Sequence, residues 1–371
     1  MDAFVKARVG DGARTLDGPW YTSPEVFAEE RERIFARAWV CVARLEQLER
    51  AGDFIVADVA GESIIVACGN DGRVRAFYNV CRHRGTLLCT ASDGRFGGSI
   101  QCPYHAWTYA LDGTLVAART MADVPDFRRE DYPLHQAAVA VQHGLVYVSL
   151  QPDPPPLETT HAALRDRFAP WRLGELRTAQ TTHYDVACNW KLIFQNYSEC
   201  YHCPLIHPQL DRLSPSDSGR NDLVQGPFLG GYSELREPGT SLTHTGATAR
   251  PPIRTLDVAG RDRIYYYTVF PSLLVSLHPD YAMVHRIRPL GPGRTAIACS
   301  WLFEPETIAS PGFDPSDAVS FWDLTNRQDW QISELTQRGV ASRAYVPGPY
   351  ANAEGLLAAF DRHYLAAMRE A

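Results

Sequence analysis

The sequence predicts an α+β protein of two domains: an N-terminal domain of short antiparallel strands and a C-terminal one combining an antiparallel sheet with a long helix. Three observations point there. From Gly52 onward, short β-rich runs alternate with turns containing Gly, Asn and Asp. The pattern then breaks at Pro152, Pro154, Pro155 and Pro156. Beyond the break, strand-like stretches lead into one long helix-forming run over residues 317–338. With 371 residues, 45 % of them hydrophobic, the chain can bury two cores. The expected division is a helical segment over 1–43 packed on the core, a β domain over 44–152 and a larger domain over 153–371.

In order, YTSPEVFAEERERIFARAWV begins with Ser23 as an N-cap, Pro24 at the first helical position and Glu25 in the first turn. Val26, Phe27, Ile34 and Phe35 make it an amphipathic helix, expected to pack on the domain that follows. DFIVADV, ESIIVAC and VRAFYNV then form a meander with turns at Gly61-Glu62 and Asn70-Asp71-Gly72. The loop after it carries Cys81-Arg82-His83-Arg84-Gly85, and Cys102-Pro103-Tyr104-His105 lies further on. YPLHQAAVAVQHGLVYVSL supplies two more strands, and the prolines read as a semi-rigid linker, with the boundary near 153–158.

In the second domain HAALRDRFAPWRL reads as a helix, TAQTTHYDVACN as a strand, and WKLIFQNYSECYH as a helix ending at a histidine pair. Residues 208–262 are rich in Ser, Gly, Asp and Pro and are expected to form loops, with a lid over a pocket. Two antiparallel strand regions follow, RIYYYTVFPSLLVSLHPDYAMVHRIRPL and GRTAIACSWLFEP. In the last helix the spacing of Phe321, Leu324, Ile332 and Leu335 marks the expected core face.

Two clusters carry chemistry. Cys81 with His83, and Cys102 with His105, form the ligand set of a Rieske [2Fe-2S] centre, two thiolates on one iron and two imidazoles on the other. A Cys2His2 zinc finger would instead put its cysteines in one half and its histidines in the other. The second cluster is Glu199, His202 and His207. Two imidazoles and a carboxylate form the facial triad that leaves positions open on ferrous iron. Five residues apart on one regular helix, the two histidines would point about 140° away from each other. A break is therefore needed, and Pro204 is expected to supply it.

A net charge of −7 without a basic patch argues against nucleic acid. No run of eighteen apolar residues occurs, and MDAFVKARVGDG lacks an apolar signal core, so a cytoplasmic protein with no membrane association is expected. Nine cysteines without an export signal favour free thiols or metal ligation over a disulfide framework, with Cys89, Cys200 and Cys203 read as structural. There is no Gly-x-Gly-x-x-Gly fingerprint for a dinucleotide.

Together, Cys81-Arg-His83, Cys102-x-x-His105, Glu199-x-x-His202 and His207 resemble the catalytic α subunit of Rieske non-haem iron oxygenases, over nearly the whole chain. The resemblance implies a Rieske β-sandwich domain joined to a helix-grip catalytic domain with mononuclear Fe(II). It also implies an aspartate on the last helix as third ligand; Asp329 matches by position, while Asp323 and Glu334 share the helix. Glu199 matches the bridge by which an electron passes from one subunit's Rieske histidine, here His105, to its neighbour's iron, which implies a homotrimer. O2 is the implied co-substrate, and NAD(P)H electrons come through a separate flavin or iron–sulfur reductase.

YTSPEVF, AGESIIVA, FYNVCRHRG, SIQCPYHAWTY and ECYHCPLIHP look most like the glycine betaine demethylase branch. That likeness implies N-demethylation of a small quaternary amine. Aromatic-ring hydroxylation and a non-catalytic Rieske electron carrier are the alternatives. A quaternary cation calls for aromatic faces. Tyr265 and Tyr267, on one face of their strand, are available with Tyr281, Phe270, Trp301 and Phe303. Phe194, Asn196 and Tyr197 lie near the ligands in sequence, and His278 is placed to orient a substrate carboxylate.

Overall fold

Ser23 starts the helix Pro24–Glu30, as its side chain predicts. Its hydroxyl accepts hydrogen bonds from the Glu25 and Val26 amides, both at 3.1 Å. The helix, expected on the domain that follows it, belongs instead with the residues from 163 onward. Glu30 is fully buried, accepts hydrogen bonds from Trp190 Nε1 (2.9 Å) and Tyr364 OH (2.7 Å), and pairs with Lys191 Nζ. The computed structural model, which describes residues 4–369, accordingly divides into one unit of residues 34–162 and another joining the residues up to 33 with those from 163 onward. The expected 1–43 segment is split, because a buried ion pair ties its first part to the second unit while Val40–Arg44 is a strand of the first.

In the unit of residues 34–162 the strands are β1 (Val40–Arg44), β2 (Asp53–Val59), β3 (Glu62–Cys68), β4 (Val74–Tyr78), β5 (Asp93–Arg95), β6 (Ser99–Gln101), β7 (Thr108–Ala110), β8 (Leu115–Ala117), β9 (Gln136–Gln142) and β10 (Leu145–Ser149). They form an antiparallel seven-stranded sheet, β1-β10-β9-β4-β3-β2-β5, and a three-stranded one, β6-β7-β8. Ile65, Phe77, Ile100, Trp107 and Tyr109 pack with Cys81 and Cys102 in one core, so the small sheet fixes both cysteine loops. The proline run is no free linker. Pro155 O accepts a hydrogen bond from Trp39 Nε1 (2.9 Å) and Leu157 is buried, which moves the boundary from the expected 152/153 to 162/163.

The second unit is built on an antiparallel sheet of order β11-β17-β16-β15-β14-β13-β12, from β11 (Arg177–Val186), β12 (Arg220–Leu223), β13 (Phe228–Glu234), β14 (Arg263–Val269), β15 (Leu273–Leu277), β16 (Ala282–Gly291) and β17 (Arg294–Phe303). The long helix Ser316–Val340 packs against the helix Trp190–Tyr197, which the Asn189 side chain caps by accepting from the Lys191 amide. Its buried stripe is Phe321, Trp322, Thr325, Asn326, Trp330 and Ser333, whereas Leu324 and Leu335, expected in the core, are exposed.

Much of 208–262 is also ordered, contrary to the expected loops, as helix Pro208–Leu213 and strands β12 and β13. Gly230 and Gly231 hid β13, since glycine weakens a strand signal. Both are required by crowding: a Cβ at Gly230 would lie 2.0 Å from Tyr266 O and one at Gly231 1.9 Å from Arg220 O. The loop that remains is pinned where Asp280 meets Ser241 Oγ (2.7 Å) and Arg250 Nε (3.0 Å). Among the described residues no helix is long and apolar enough to cross a membrane.

Candidate functional site

The two cysteine loops of the first unit are near-copies. In each, the cysteine amide donates to the carbonyl five residues on (Cys81 to Thr86, 2.9 Å; Cys102 to Trp107, 2.8 Å), and its carbonyl accepts from the amide four residues on (Gly85, 3.0 Å; Ala106, 3.1 Å). The fourth position is left-handed in both, φ +74° at Gly85 and +57° at Ala106. These turns bury Cys81 and Cys102 and hold the His83 and His105 rings 4.8 Å apart toward the surface.

Tyr109 OH accepts from the Arg82 amide (3.1 Å) and lies 3.4 Å from Cys81 Sγ, so its own proton can point at the sulfur. Burial, with the nearby His105 and Arg84 charges, lowers the pKa of His83 and keeps it in the neutral form a metal ligand needs. Two buried thiols and two outward neutral imidazoles fit a Rieske [2Fe-2S] cluster.

In the second unit the chain leaves its helix at Ser198, whose hydroxyl donates to Phe194 O (2.6 Å). The break that reorients the histidines is therefore here. Pro204 does something else: it opens the short helix Cys203–Ile206, where its missing amide costs no hydrogen bond. Glu199 shapes the turn, accepting from the Tyr201 and His202 amides and from His202 Nδ1 (2.5 Å). A Cys200–Cys203 disulfide closes the same loop, against the expectation of free thiols, because the turn brings residues three apart to a Cα separation of 4.9 Å. The other seven cysteines are free.

His207 Nδ1 faces Gln328 Oε1 at 2.8 Å, and Gln209 Nε2 donates to that same oxygen (2.9 Å). Both acceptors are oxygens, so with a cation bound each imidazole would carry its proton on Nδ1 and turn the Nε2 lone pair inward. There both meet Asp329 Oδ1, at 2.7 Å from His207 and 3.3 Å from His202. The three ligand atoms lie within 4.8 Å of one another. Burial opposes charge on His202, but hydrogen bonds to Asp329 and Glu199 outweigh it and raise its pKa to about 10. Burial likewise opposes charge on Asp329, yet the two histidines hold its pKa below the usual carboxylate range. The pocket favours positive charge, and two nitrogens with one carboxylate fit a divalent cation with coordination positions left open. Asp323 and Glu334 are engaged elsewhere, with Tyr184 OH (2.7 Å) and the Ala187 amide (3.0 Å).

A cavity of about 820 Å³ opens onto these ligands, large enough for a small organic molecule. Asn196 and Tyr197 border it, as expected. The other expected pocket residues do not. Phe194 is buried against Phe360; Tyr265 packs on Trp171 and Tyr232; Tyr267 OH donates to Asp222 (3.2 Å). His278 stacks on Tyr281 (4.1 Å), whose hydroxyl accepts from Trp322 Nε1 (2.8 Å). Tyr266 and Trp322 border the cavity instead. Alternation along β14 separates Tyr266 from Tyr265 and Tyr267, but nothing in the strand's own sequence says which face is inward. Gln328 could have been found only as the helix neighbour of Asp329.

The ring hydroxylating alpha subunit (catalytic domain) family matches residues 173–370, and the Rieske [2Fe-2S] domain matches residues 38–128. The glycine betaine monooxygenase oxygenase subunit of Chromohalobacter salexigens is 31% identical over 385 residues, spanning 94% of this chain and 83% of that protein. A quaternary ammonium Rieske monooxygenase, described for carnitine oxidation by gut microbiota and inter-subunit electron transfer, superposes with a TM-score of 0.83 at 27% identity, covering 96% of each chain. Naphthalene 1,2-dioxygenase from Rhodococcus sp. shares the fold, with a TM-score of 0.75 at 20% identity over 95% of this chain and 94% of that one.

Proposed function

The chain belongs to the Rieske non-haem iron oxygenases, as an α subunit with both Rieske and catalytic domains, and on that premise we propose that it oxidatively N-demethylates a small betaine-like quaternary amine in the cytoplasm. The enzyme is an oxidoreductase with a Rieske [2Fe-2S] cluster, a mononuclear iron, O2 as co-substrate and NAD(P)H electrons delivered by a reductase. The observation that carries the substrate reading is the cavity wall. A quaternary ammonium group offers no hydrogen-bond donor, so ring faces must recognise it, and a desolvated cation over a ring gains about 2 kcal/mol. Tyr197, Tyr266 and Trp322 border the cavity that holds His202, His207 and Asp329, with Tyr197–Tyr266 and Tyr266–Trp322 ring centres 6.0 and 6.4 Å apart.

His202, His207 and Asp329 would hold the iron, which when bound would supply the O2 activation needed to hydroxylate a methyl carbon, while Glu199 and Gln328 fix the ring orientations. The aromatic faces keep the onium group, and hence one N-methyl, near the ligands, and Asn196 borders the same space. The hydroxymethyl ammonium product releases formaldehyde and a proton, leaving the tertiary amine.

Glu199 further serves as the bridge to His105 of the partner subunit in a homotrimer, and the electron donor is a flavin reductase. The names of the relatives support this reading. Its test is to supply NADH, O2 and a surrogate reductase with glycine betaine, and to measure formaldehyde against NADH consumed. One formaldehyde per NADH is expected, with three irons per chain. No formaldehyde from glycine betaine, a cis-diol formed in a parallel assay with an arene, or two irons per chain would sink it.

A further inference from the structure

The cavity has a wall that belongs to neither the sheet nor a helix. Lys6, Ala7 and Arg8 border it, far in sequence from the metal ligands. This segment is fastened in place. β12 is the edge strand of its sheet, and Val5 bridges to it by exchanging two backbone hydrogen bonds with Asn221 (2.7 and 2.6 Å). The Asn221 side chain adds a third, its Oδ1 accepting from the Ala7 amide at 3.2 Å. The Phe4 ring meets Tyr232 edge-on at 4.7 Å. On the other side, a Cβ at Gly355 would lie 2.6 Å from the Ala7 carbonyl carbon, so the start of the last helix lacks a side chain where the segment passes. A loosely draped tail would need none of these fittings.

Lys6 and Arg8 are exposed, and among the described residues neither side chain has a hydrogen-bond or ion-pair partner. Asp217, on the turn leading into β12, also borders the cavity, so near this segment two cations stand against one carboxylate. The rings of Tyr197, Tyr266 and Trp322, with Glu199 and Asp329, complete its charged and aromatic lining. The one cavity thus combines ring faces suited to an onium group with two cations suited to an anion.

We propose that Lys6 and Arg8 are specificity-determining residues that hold the carboxylate of a zwitterionic substrate, so that the N-terminal segment selects betaines over onium compounds lacking a carboxylate. This rests on the quaternary-amine reading above. A contact remote from the reacting methyl is made equally in ground and transition states, so its loss raises KM and leaves kcat nearly unchanged.

The test measures dissociation constants by calorimetry, and KM and kcat, for glycine betaine and for choline, which has the onium group without the carboxylate. The full-length enzyme is compared with the double variant Lys6→Ala, Arg8→Ala and with the charge-keeping swap Lys6→Arg, Arg8→Lys. Rieske absorbance equal to wild type confirms that each variant is folded. The proposal expects glycine betaine to bind at least tenfold more weakly to the alanine variant, choline to change less than twofold, and the swap to restore betaine binding. Equal weakening of both ligands, or unchanged betaine binding, overturns the proposal and leaves the quaternary-amine reading standing. A wild-type enzyme that binds neither ligand overturns both.

Discussion

At the scale of single residues, the candidate metal ligands could be named from the sequence, and most of the residues that support them could not. Cysteine and histidine at short fixed spacing state their chemistry directly, but Gln328 and Tyr266 are ordinary residues whose roles arise from a helix face and a sheet face meeting. Glu199 is the support that could be named in advance, and one of its carboxylate oxygens meets the His202 ring while the other accepts from the His202 amide. Replacing it by Gln should leave both metal sites loaded and lower turnover 10- to 100-fold, the usual cost of losing a ligand's orienting partner. Normal turnover in Glu199→Gln, with iron content measured, would remove it from the mechanism.

His278 teaches the opposite lesson. Sequence position suggested a substrate contact, yet the ring is buried with neither nitrogen hydrogen-bonded among the described residues. Burial, with the nearby Arg250 charge, drives its pKa well below the ordinary value. A depressed folded-state pKa gives stability that is present above the unfolded pKa of about 6.5 and is lost as pH falls below it, by up to about 1.4 kcal/mol per pH unit. His278→Phe keeps the stack on Tyr281 and removes the titration. Urea unfolding at pH 7.5 and 5.5 should show a loss about 1 kcal/mol smaller in the variant. An identical loss in both would mean that the buried ring does not titrate as its surroundings require.

At the scale of elements, the strands with clean alternation and the helix caps were readable, whereas packing partners were not. The helix Pro24–Glu30 was expected to lie on the β domain because an amphipathic stripe names an apolar face without naming what covers it. The deciding contact is Glu30 with Lys191, a pair with no local signature, since its residues are 161 apart. Burial lowers the Lys191 pKa, Glu30 works against that, and Trp190 and Tyr364 complete the carboxylate's hydrogen bonds. Removing one partner of a buried pair leaves an uncompensated charge and costs roughly 3–5 kcal/mol, while replacing both is far milder. Lys191→Met should therefore lower the denaturant midpoint of this unit sharply, and Glu30→Gln combined with Lys191→Met should recover most of the loss. If the double variant were no better than the single one, packing rather than charge would be what joins the helices.

At the scale of the whole molecule, the proposed bridge makes the subunit an incomplete catalyst. His83 and His105 reach the surface of their unit, and Glu199 stands behind His202 on the other unit. If electrons pass only between neighbouring copies in a closed head-to-tail ring, a copy with an intact cluster can serve a neighbour with an intact iron site, whatever else each lacks. Cys102→Ser removes the first station and Asp329→Ala the second, so either variant alone should be inactive. Co-expressed in equal amounts and assembled at random, half the copies can donate and half can accept. Every contact is then productive with a chance of about one in four, and activity per chain should recover to about a quarter of wild type. Inactive co-expressed oligomers, shown by mass to contain both variants, would establish that each chain feeds its own iron and that Glu199 only orients His202.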